Sequence, residues 1–315
     1  MSTPSHRARG AALLFALWAI ALLAALLAGL AVTARGEGEA AQNYYAQAQA
    51  RYAAEAGVAR AVDALRDADP ARRWVPDGRP YRFDFDGAKV EVSITDTSGQ
   101  VDLNAATPEV LTNLFLAAGA DQARAQALTD AVQDWRDSDD IPHPNGAEAE
   151  TYRRAGLAWL PRNGPFRSSD ELARVYGMDD ALYRKLAESV TVYSGRNFPD
   201  EAYADPLALA ADRNGDLATA VRMVAARHAR APLQGDIPQA GQPASGVAAQ
   251  TLVAGFGGMT QEIRSVAVLP DGTRSAQDAI LRLTAMSGGL RPYTVLGWRD
   301  VSNIAEDSGV SRESR

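Results

Sequence analysis

Six acidic side chains fall within one short stretch of the sequence, DWRDSDDIPHPNGAEAE at residues 134–150. Oxygen ligands at this density are typical of calcium sites, because Ca²⁺ binds about six to eight oxygen atoms. We predict a structural calcium site with Asp137, Asp139 and Asp140 as its ligands. The spacing is not that of an EF-hand, since an isoleucine and a proline stand where that loop needs a further oxygen ligand and a glycine. The alternative is a solvated acidic loop whose carboxylates cap helix ends.

The sequence offers no recognisable set of catalytic residues. It contains three histidines and no cysteine, which excludes disulfides, thiolate metal sites and cysteine nucleophiles. Motifs for a serine nucleophile elbow, a zinc-binding helix or a phosphate-binding loop are missing. His143 lies between prolines in the acidic stretch, where a surface position is the more common role. We therefore predict that the protein is not an enzyme.

An apolar run near the N terminus predicts a membrane-spanning helix, which we assign to residues 11–33. From residue 11 to residue 32 there is no charged side chain, and about 20 apolar residues suffice to cross a bilayer. Arg7 and Arg9 precede the run, and this asymmetry keeps their side cytoplasmic and the rest of the chain outside the cytoplasm. Two alternatives stay open. One is a plain membrane anchor, and the other is a secretory signal cut after Ala34, although secretory apolar regions usually have only about 7–15 residues.

The remaining chain predicts an α+β fold. An Ala-rich stretch extends the first helix, with side chains recurring at helical spacing. These are Tyr44, Ala48 and Tyr52, followed by Val58, Val62 and Leu65. Residues 81–96 alternate as a hairpin around an Asp-Gly turn, and residues 260–299 predict further strands. We expect both sets to form one sheet on the long helix, with the helical segment 100–230 inserted between them.

Local signals mark the ends of the inserted helices. Thr107, Asp121 and Asp179 stand at N-cap positions, and Ser168 with Glu171 predicts a capping box. The Pro/Gly/Gln-rich segment 231–250 predicts a flexible loop, and the polar residues 302–315 predict a frayed tail.

Several collinear motifs resemble one known family. They are AEAGVARAV, SGQVDLNAATPEVL, DWRDSDD, PNGAEAETYRRAG, PRNGPFRSSDELARVYGM and VTVYSG, preceded by a basic residue and Gly10 ahead of the apolar helix. Together they resemble the K-type minor pseudopilin of the type II secretion system, also called general secretion pathway protein K. The resemblance covers most of the chain.

This resemblance implies a type IV pilin-like architecture with a large inserted helical domain. It implies that residues 1–10 are a leader, removed between Gly10 and Ala11 by the prepilin peptidase, which then methylates Ala11. The mature protein is expected to have one inner-membrane helix and a periplasmic domain. In that domain residues 34–99 form the long helix and first strands, and residues 251–301 form the returning strands.

The resemblance also implies a non-catalytic role at the tip of the pseudopilus. The expected partners are the I- and J-type minor pseudopilins, and the collective function is export of proteins across the outer membrane. Helix packing through Tyr44, Tyr52, Val58 and Val62 is expected to serve both the chain's own sheet and its neighbours' helices. No cofactor is implied beyond a possible structural calcium ion.

Phe15 occupies a position that distinguishes this chain from most pilins. As implied by the resemblance, most prepilins carry glutamate at the fifth mature position, and this chain carries Phe15 there. That glutamate neutralises the terminal amine of the neighbouring subunit nearer the tip. A subunit with no such neighbour would hold an unpaired carboxylate in hydrocarbon, which is costly. Phe15 therefore favours a tip position.

The alternative function is a membrane-anchored, competence-type DNA-binding protein. The segments VDLNAATPEVL and ELARVYGM resemble halves of helix-hairpin-helix elements. They lack the Gly-x-Gly that brings backbone amides close to phosphate. Residues 100–195 also carry 15 acidic against 9 basic side chains, a net charge of −6, which opposes DNA binding. We predict no nucleic-acid partner.

Overall fold

A computed structural model of the chain describes residues 7–67, 69, 72–230, 260–284 and 292–301, and describes only the backbone at residues 7–13, 28–39 and 230. The predicted loop at 231–250 and tail at 302–315 lie outside the described residues, as does most of the predicted leader. The predicted cleavage site between Gly10 and Ala11 is described in its backbone alone.

The elements follow in the order helix, hairpin, helical segment and three strands. They are α1 (Arg7–Leu65), β1 (Asp77–Phe85), β2 (Ala88–Asp96), β3 (Val101–Asp102), α2 (Pro108–Ala117), α3 (Gln122–Arg136), α4 (Ala149–Arg154), α5 (Asp180–Leu186), β4 (Val190–Thr191), α6 (Pro206–Ala211), α7 (Leu217–Arg230), β5 (Thr260–Val268), β6 (Arg274–Leu283) and β7 (Tyr293–Asp300). Short 3₁₀ turns lie at Thr97–Gly99 and Ser169–Arg174.

The long helix α1 joins the apolar run to the Ala-rich stretch without interruption over 59 residues. Gly36 and Gly38 do not break it. Side chains 14–27 of the apolar run are exposed. Among the described residues, no helix combines the length and apolar character needed to cross a membrane.

One antiparallel sheet receives strands from both ends of the chain, as the sequence predicts. Its strand order is β1-β2-β5-β6-β7. Residues 89–96 of β2 pair with β5, so the helical segment is an excursion between two adjacent strands. Asp86 and Gly87 form the tight turn of the first hairpin with positive φ angles of 46° and 78°, as two-residue hairpin loops require.

The C-terminal half of α1 packs on this sheet through small side chains. Ala50, Ala54 and Ala61 are fully buried, and Val58 and Val62 are 2% and 5% exposed. Tyr44 and Tyr52 are 78% and 66% exposed, so the prediction that they pack against the chain's own sheet is wrong. Residues recur at the same spacing on every face of a helix, so this spacing does not show which face is buried. The sheet covers the face that carries the alanines.

The helical segment builds a second core of its own around Leu111, Leu114, Phe115 and Leu128. The predicted N-caps are present, because Thr107, Asp121 and Asp179 each accept a hydrogen bond from the backbone N–H three residues on. Each of these N-caps marks the point where an irregular segment ends and a helix begins, at α2, α3 and α5 respectively.

The predicted capping box at Ser168 and Glu171 is wrong. Ser168 accepts from the Asp170 N–H and begins a 3₁₀ turn rather than an α-helix. The Glu171 carboxylate accepts instead from Trp135 Nε1 and Arg162 Nη1, both at 3.3 Å. A tertiary contact has therefore replaced the local one.

Candidate functional site

The acidic stretch folds as a loop between α3 and α4, and its carboxylates gather in two overlapping groups. Asp134, Asp137 and His143 form one group, and Asp137, Asp139 and Glu148 form the other. In each group one potential ligand atom per residue lies within 4.8 Å of the others. We call these five residues the acidic cluster.

The loop is shaped by buried carboxylates on the inner face of α3. Asp130 Oδ2 accepts from both the backbone N–H and the side-chain amide of Asn145, each at 3.1 Å. Asp134 Oδ1 accepts from the backbone N–H of His143 at 3.0 Å and contacts the Nδ1 of the same residue. Gly146 is required here, because a Cβ at that position would lie 2.0 Å from Asp134 Oδ2. The loop therefore folds back over the end of α3.

Four oxygens of the cluster are buried and make no hydrogen bond within the described part of the chain. They are Asp134 Oδ2, Asp137 Oδ1 and both carboxylate oxygens of Glu148. Glu148 is 5% exposed and occupies the N-cap position of α4 without capping it. Buried carboxylate oxygens without a donor are costly, and a bound cation would remove that cost.

Within the cluster, pKa values are shifted by burial and by the charges of neighbouring carboxylates. Burial, with the neighbouring charges of Asp134, Asp137 and Asp140, raises the pKa of Glu148 to about 7. Burial and the charges of Asp139 and Asp134 likewise raise the pKa of Asp137 above its ordinary value. The hydrogen bond with Asp134 raises the pKa of His143, because a protonated imidazole offsets part of the negative charge.

The structure brings only part of the predicted ligand set together. Asp137 and Asp139 lie in the cluster, whereas Asp140 is in neither group, and its Oδ1 accepts from the Asn163 side chain at 2.8 Å. Sequence reasoning did not select Asp134 or Glu148 as ligands. A signal for Asp134 was available, since it lies on the apolar face of α3 beside the buried Trp135.

The donor set suits a hard divalent cation. Carboxylate oxygens of Asp137, Asp139 and Glu148 lie together, Asp134 joins Asp137 in the overlapping group, and Ca²⁺ prefers such ligands in an irregular geometry. The buried carboxylate oxygens that lack hydrogen-bond donors would be satisfied by such an ion. A cation there would tie the end of α3 to the start of α4 and so fix the loop.

In a second motif, VDLNAATPEVL, the polar side chains of Asp102 and Asn104 make hydrogen bonds within the chain. Asp102 is 1% exposed and accepts from the N–H groups of Asn104 and Ala105 and from the N–H of Gly195 at 2.7 Å. Asn104 in turn exchanges two hydrogen bonds with the backbone of Phe166. Asp102 and Asn104 thus form internal contacts of the helical segment, and the buried Asp102 carboxylate occupies backbone N–H groups of this motif.

Comparison with known proteins gives a family match across this region. Residues 90–195 match the family model described as type II secretion system (T2SS), protein K. The matched segment includes the acidic cluster and the VDLNAATPEVL motif. This match confirms the resemblance that the sequence motifs indicate.

Two relatives carry the same name. The chain is 32% identical over 203 residues to type II secretion system protein K of Klebsiella pneumoniae, which covers 58% of this chain and 62% of the relative. It is 32% identical over 206 residues to type II secretion system protein K of Pectobacterium carotovorum subsp. carotovorum, covering 57% and 61%. The chain therefore spans about three fifths of the length of these relatives. Both are named as secretion-system proteins and not as enzymes.

A solved structure has a similar fold. A chain in the crystal structure of the GspK-GspI-GspJ complex from the enterotoxigenic Escherichia coli type 2 secretion system matches with a TM-score of 0.53 and 16% identity. The match covers 84% of this chain and 98% of that chain. It confirms the predicted α+β fold with an inserted helical domain.

Proposed function

We propose, from the premise that residues 90–195 are a type II secretion system protein K domain, that this chain is a minor pseudopilin of that system. It acts at the tip of the pseudopilus, in a complex with the I- and J-type minor pseudopilins, and supports protein export across the outer membrane. One observation carries the proposal: a chain that matches this family model also has a pilin-like long helix lying on an antiparallel sheet.

The tip position is supported by shape and by chemistry. The helical segment between β2 and β5 carries its own hydrophobic core, and this bulk does not fit beneath another stacked subunit. Phe15 supplies no carboxylate for a subunit above it. Tyr44 and Tyr52, exposed on the chain alone, are available for contact with neighbouring helices.

Membrane anchoring and processing are part of the proposal. The uncharged run of 22 residues at 11–32 supports a single inner-membrane helix, and the arginines before it support a periplasmic domain. The prepilin peptidase removes residues 1–10 and methylates Ala11. The protein has a structural rather than a catalytic role, and calcium at the acidic cluster stabilises its helical domain.

The test combines processing with assembly. The full chain is expressed with the prepilin peptidase and the I- and J-type subunits, and the membrane-extracted protein is analysed by mass spectrometry. We expect an N-methylated Ala11 and co-purification of both partners. An intact N terminus would indicate a plain anchor, an N terminus at Arg35 would indicate a secreted protein, and either would overturn the proposal. A Gly10→Glu variant, which should remain uncut, is the control for processing.

The comparisons do not favour DNA binding, the alternative that the sequence left open, and a mobility-shift assay tests it. The net charge of −6 over residues 100–195 predicts no binding even at low salt. Tight binding of a DNA duplex to the purified chain would favour the competence-type function instead.

A further inference from the structure

Asp77 is a buried carboxylate at the start of β1 that is approached from two parts of the fold. Its side chain has no solvent exposure, and Arg79 on the same strand donates to it from Nε at 2.7 Å. From the C-terminal end of α7, His228 Nε2 lies 3.3 Å and Arg227 Nε 3.7 Å from Asp77 Oδ2. The last helix of the inserted domain thus meets the first strand of the sheet at one carboxylate.

Arg227 joins this contact to the rest of the helical domain. Its Nη1 donates to the Glu201 carbonyl at 2.7 Å and its Nη2 donates to the Ala204 carbonyl at 2.8 Å. The Nε of Arg227 and the Nε2 of His228 are buried and make no hydrogen bond with any described residue. Their interaction with Asp77 is therefore mainly electrostatic, and its strength depends on the charge of each partner.

Two guanidinium groups, from Arg79 and Arg227, and one imidazole, from His228, surround the Asp77 carboxylate. Burial alone would raise the pKa of Asp77, but the hydrogen bonds and charge of Arg79, together with the charge of His228, bring it below the ordinary value, so Asp77 stays ionised. Arg79 and Arg227 keep their charges, and Asp205 faces Arg227 from the start of α6. Imidazole is the side chain whose ordinary titration falls between about pH 5 and 8.

We propose that Asp77, Arg227 and His228 form a proton-dependent latch that holds the end of α7 on β1 and tightens when His228 is protonated. The latch controls how firmly the inserted domain is oriented on the pilin-like sheet. At alkaline pH the neutral imidazole no longer adds its charge to that of Arg227, and the end of α7 moves more freely. The latch joins the inserted helical segment to the sheet, and such a control goes beyond the proposed function.

The chain lacks cysteine, so a single pair of spin labels reports this contact. Nitroxides are attached at Ala225→Cys on α7 and Asp84→Cys on β1, both exposed positions, in the full chain in detergent. The distribution of distances between the two labels is measured by pulsed electron paramagnetic resonance at about pH 5.5 and about pH 8, towards the two ends of the pH range in which imidazole ordinarily titrates. We expect one narrow distance at the lower pH and a distribution at least about twofold broader at the higher pH.

Two substitutions and one control decide the outcome. His228→Gln should give the broad distribution at both pH values, and so should Asp77→Asn. His143→Gln, which removes the histidine of the acidic cluster, should keep the response of the unsubstituted chain. Equal widths at both pH values in the unsubstituted chain, or a response that survives His228→Gln, would overturn the latch. If Asp77→Asn proves unfolded by near-ultraviolet circular dichroism, His228→Gln decides, because its side chain is 39% exposed and tolerates replacement.

Discussion

Gly57 of α1 lies against Ser265 of β5 so closely that the helix has no room for a side chain there. A Cβ at position 57 would stand 2.0 Å from Ser265 Oγ and 2.9 Å from a methyl group of Val90. The buried alanines at positions 50, 53, 54 and 61 extend this small-residue face along the helix. Small side chains therefore set the distance between α1 and the sheet.

Gly57→Ala should destabilise the protein, although the same change at an open helical site is favourable by about 0.5–1 kcal/mol. The added methyl group overpacks the contact, at a cost of about 1–3 kcal/mol. We expect a lower melting temperature in thermal unfolding followed by circular dichroism. Ala59→Ser, on the exposed side of the same helix, is the control and should change little. A melting temperature raised by Gly57→Ala would contradict the close contact.

The sequence predicts the helix ends well and the tertiary contacts less well. Thr107 and Asp121 act on a backbone N–H only three residues away, so their roles depend on local chain alone. Glu171 had the same local signal, yet Trp135 and Arg162 bind its carboxylate in the folded chain. Contacts that depend on distant residues are not encoded in local spacing.

The acidic cluster shows the same limit. The density of carboxylates predicts a cation site, but its membership depends on how the loop closes over α3. Asp140 adjoins Asp139 in the sequence, yet the Asn163 side chain holds its carboxylate. Glu148 joins the cluster because α4 begins beneath the loop. Likewise, the spacing of Tyr44 and Tyr52 identifies a helix without revealing which face the sheet covers.

Calcium should stabilise the chain through the acidic cluster. At about 100 times the dissociation constant, a ligand bound only by the folded state adds about 2.7 kcal/mol, which raises the melting temperature by a few degrees. We expect this rise on adding calcium to the purified chain, and its loss on adding a chelator. Glu148→Gln and Asp137→Asn should abolish the rise, because each removes an oxygen that the ion would bind.

The matched control for the calcium experiment is Glu150→Gln. Glu150 belongs to the same acidic stretch but is exposed and pairs with Arg153 outside the cluster. Its calcium response should equal that of the unsubstituted chain. An unsubstituted chain with no calcium-dependent shift, and no heat of binding in calorimetry, would mean that the stretch is only a solvated loop.

Glu262 should make folding stability fall as the pH rises towards neutrality. It lies where the sheet meets the helical domain, and its Oε2 accepts from Gln100 Nε2 at 3.1 Å. Burial raises its pKa to about 7, with Asp278 and Glu188 adding to the rise, from an unfolded value of 4.5. The folded state therefore holds a proton that the unfolded state has lost between about pH 4.5 and pH 7, so this contribution to stability is lost across that window.

Glu262→Gln should remove that pH dependence. Glutamine has no charge to desolvate, and its oxygen still accepts from Gln100, so we expect a gain of about 1–3 kcal/mol at pH 8. Denaturant unfolding at about pH 5 and about pH 8 measures both values. Glu91→Gln, at an exposed position on β2, is the control. A variant that loses stability at pH 8 would show that Glu262 is charged and well paired in the folded protein.

Phe15→Glu tests the tip position on which the proposed function depends. In a subunit below the tip, a glutamate at this position would pair with the terminal amine of the subunit above it. At the tip it has no such partner, and a carboxylate in the bilayer costs about 2.5–3.5 kcal/mol. We therefore expect Phe15→Glu to leave the yield of the complex with I- and J-type subunits unchanged or to lower it. Phe15→Leu, which keeps the position apolar, should leave it unchanged. An increased yield with Phe15→Glu, measured by co-purification from membranes, would place a subunit above this chain and remove it from the tip.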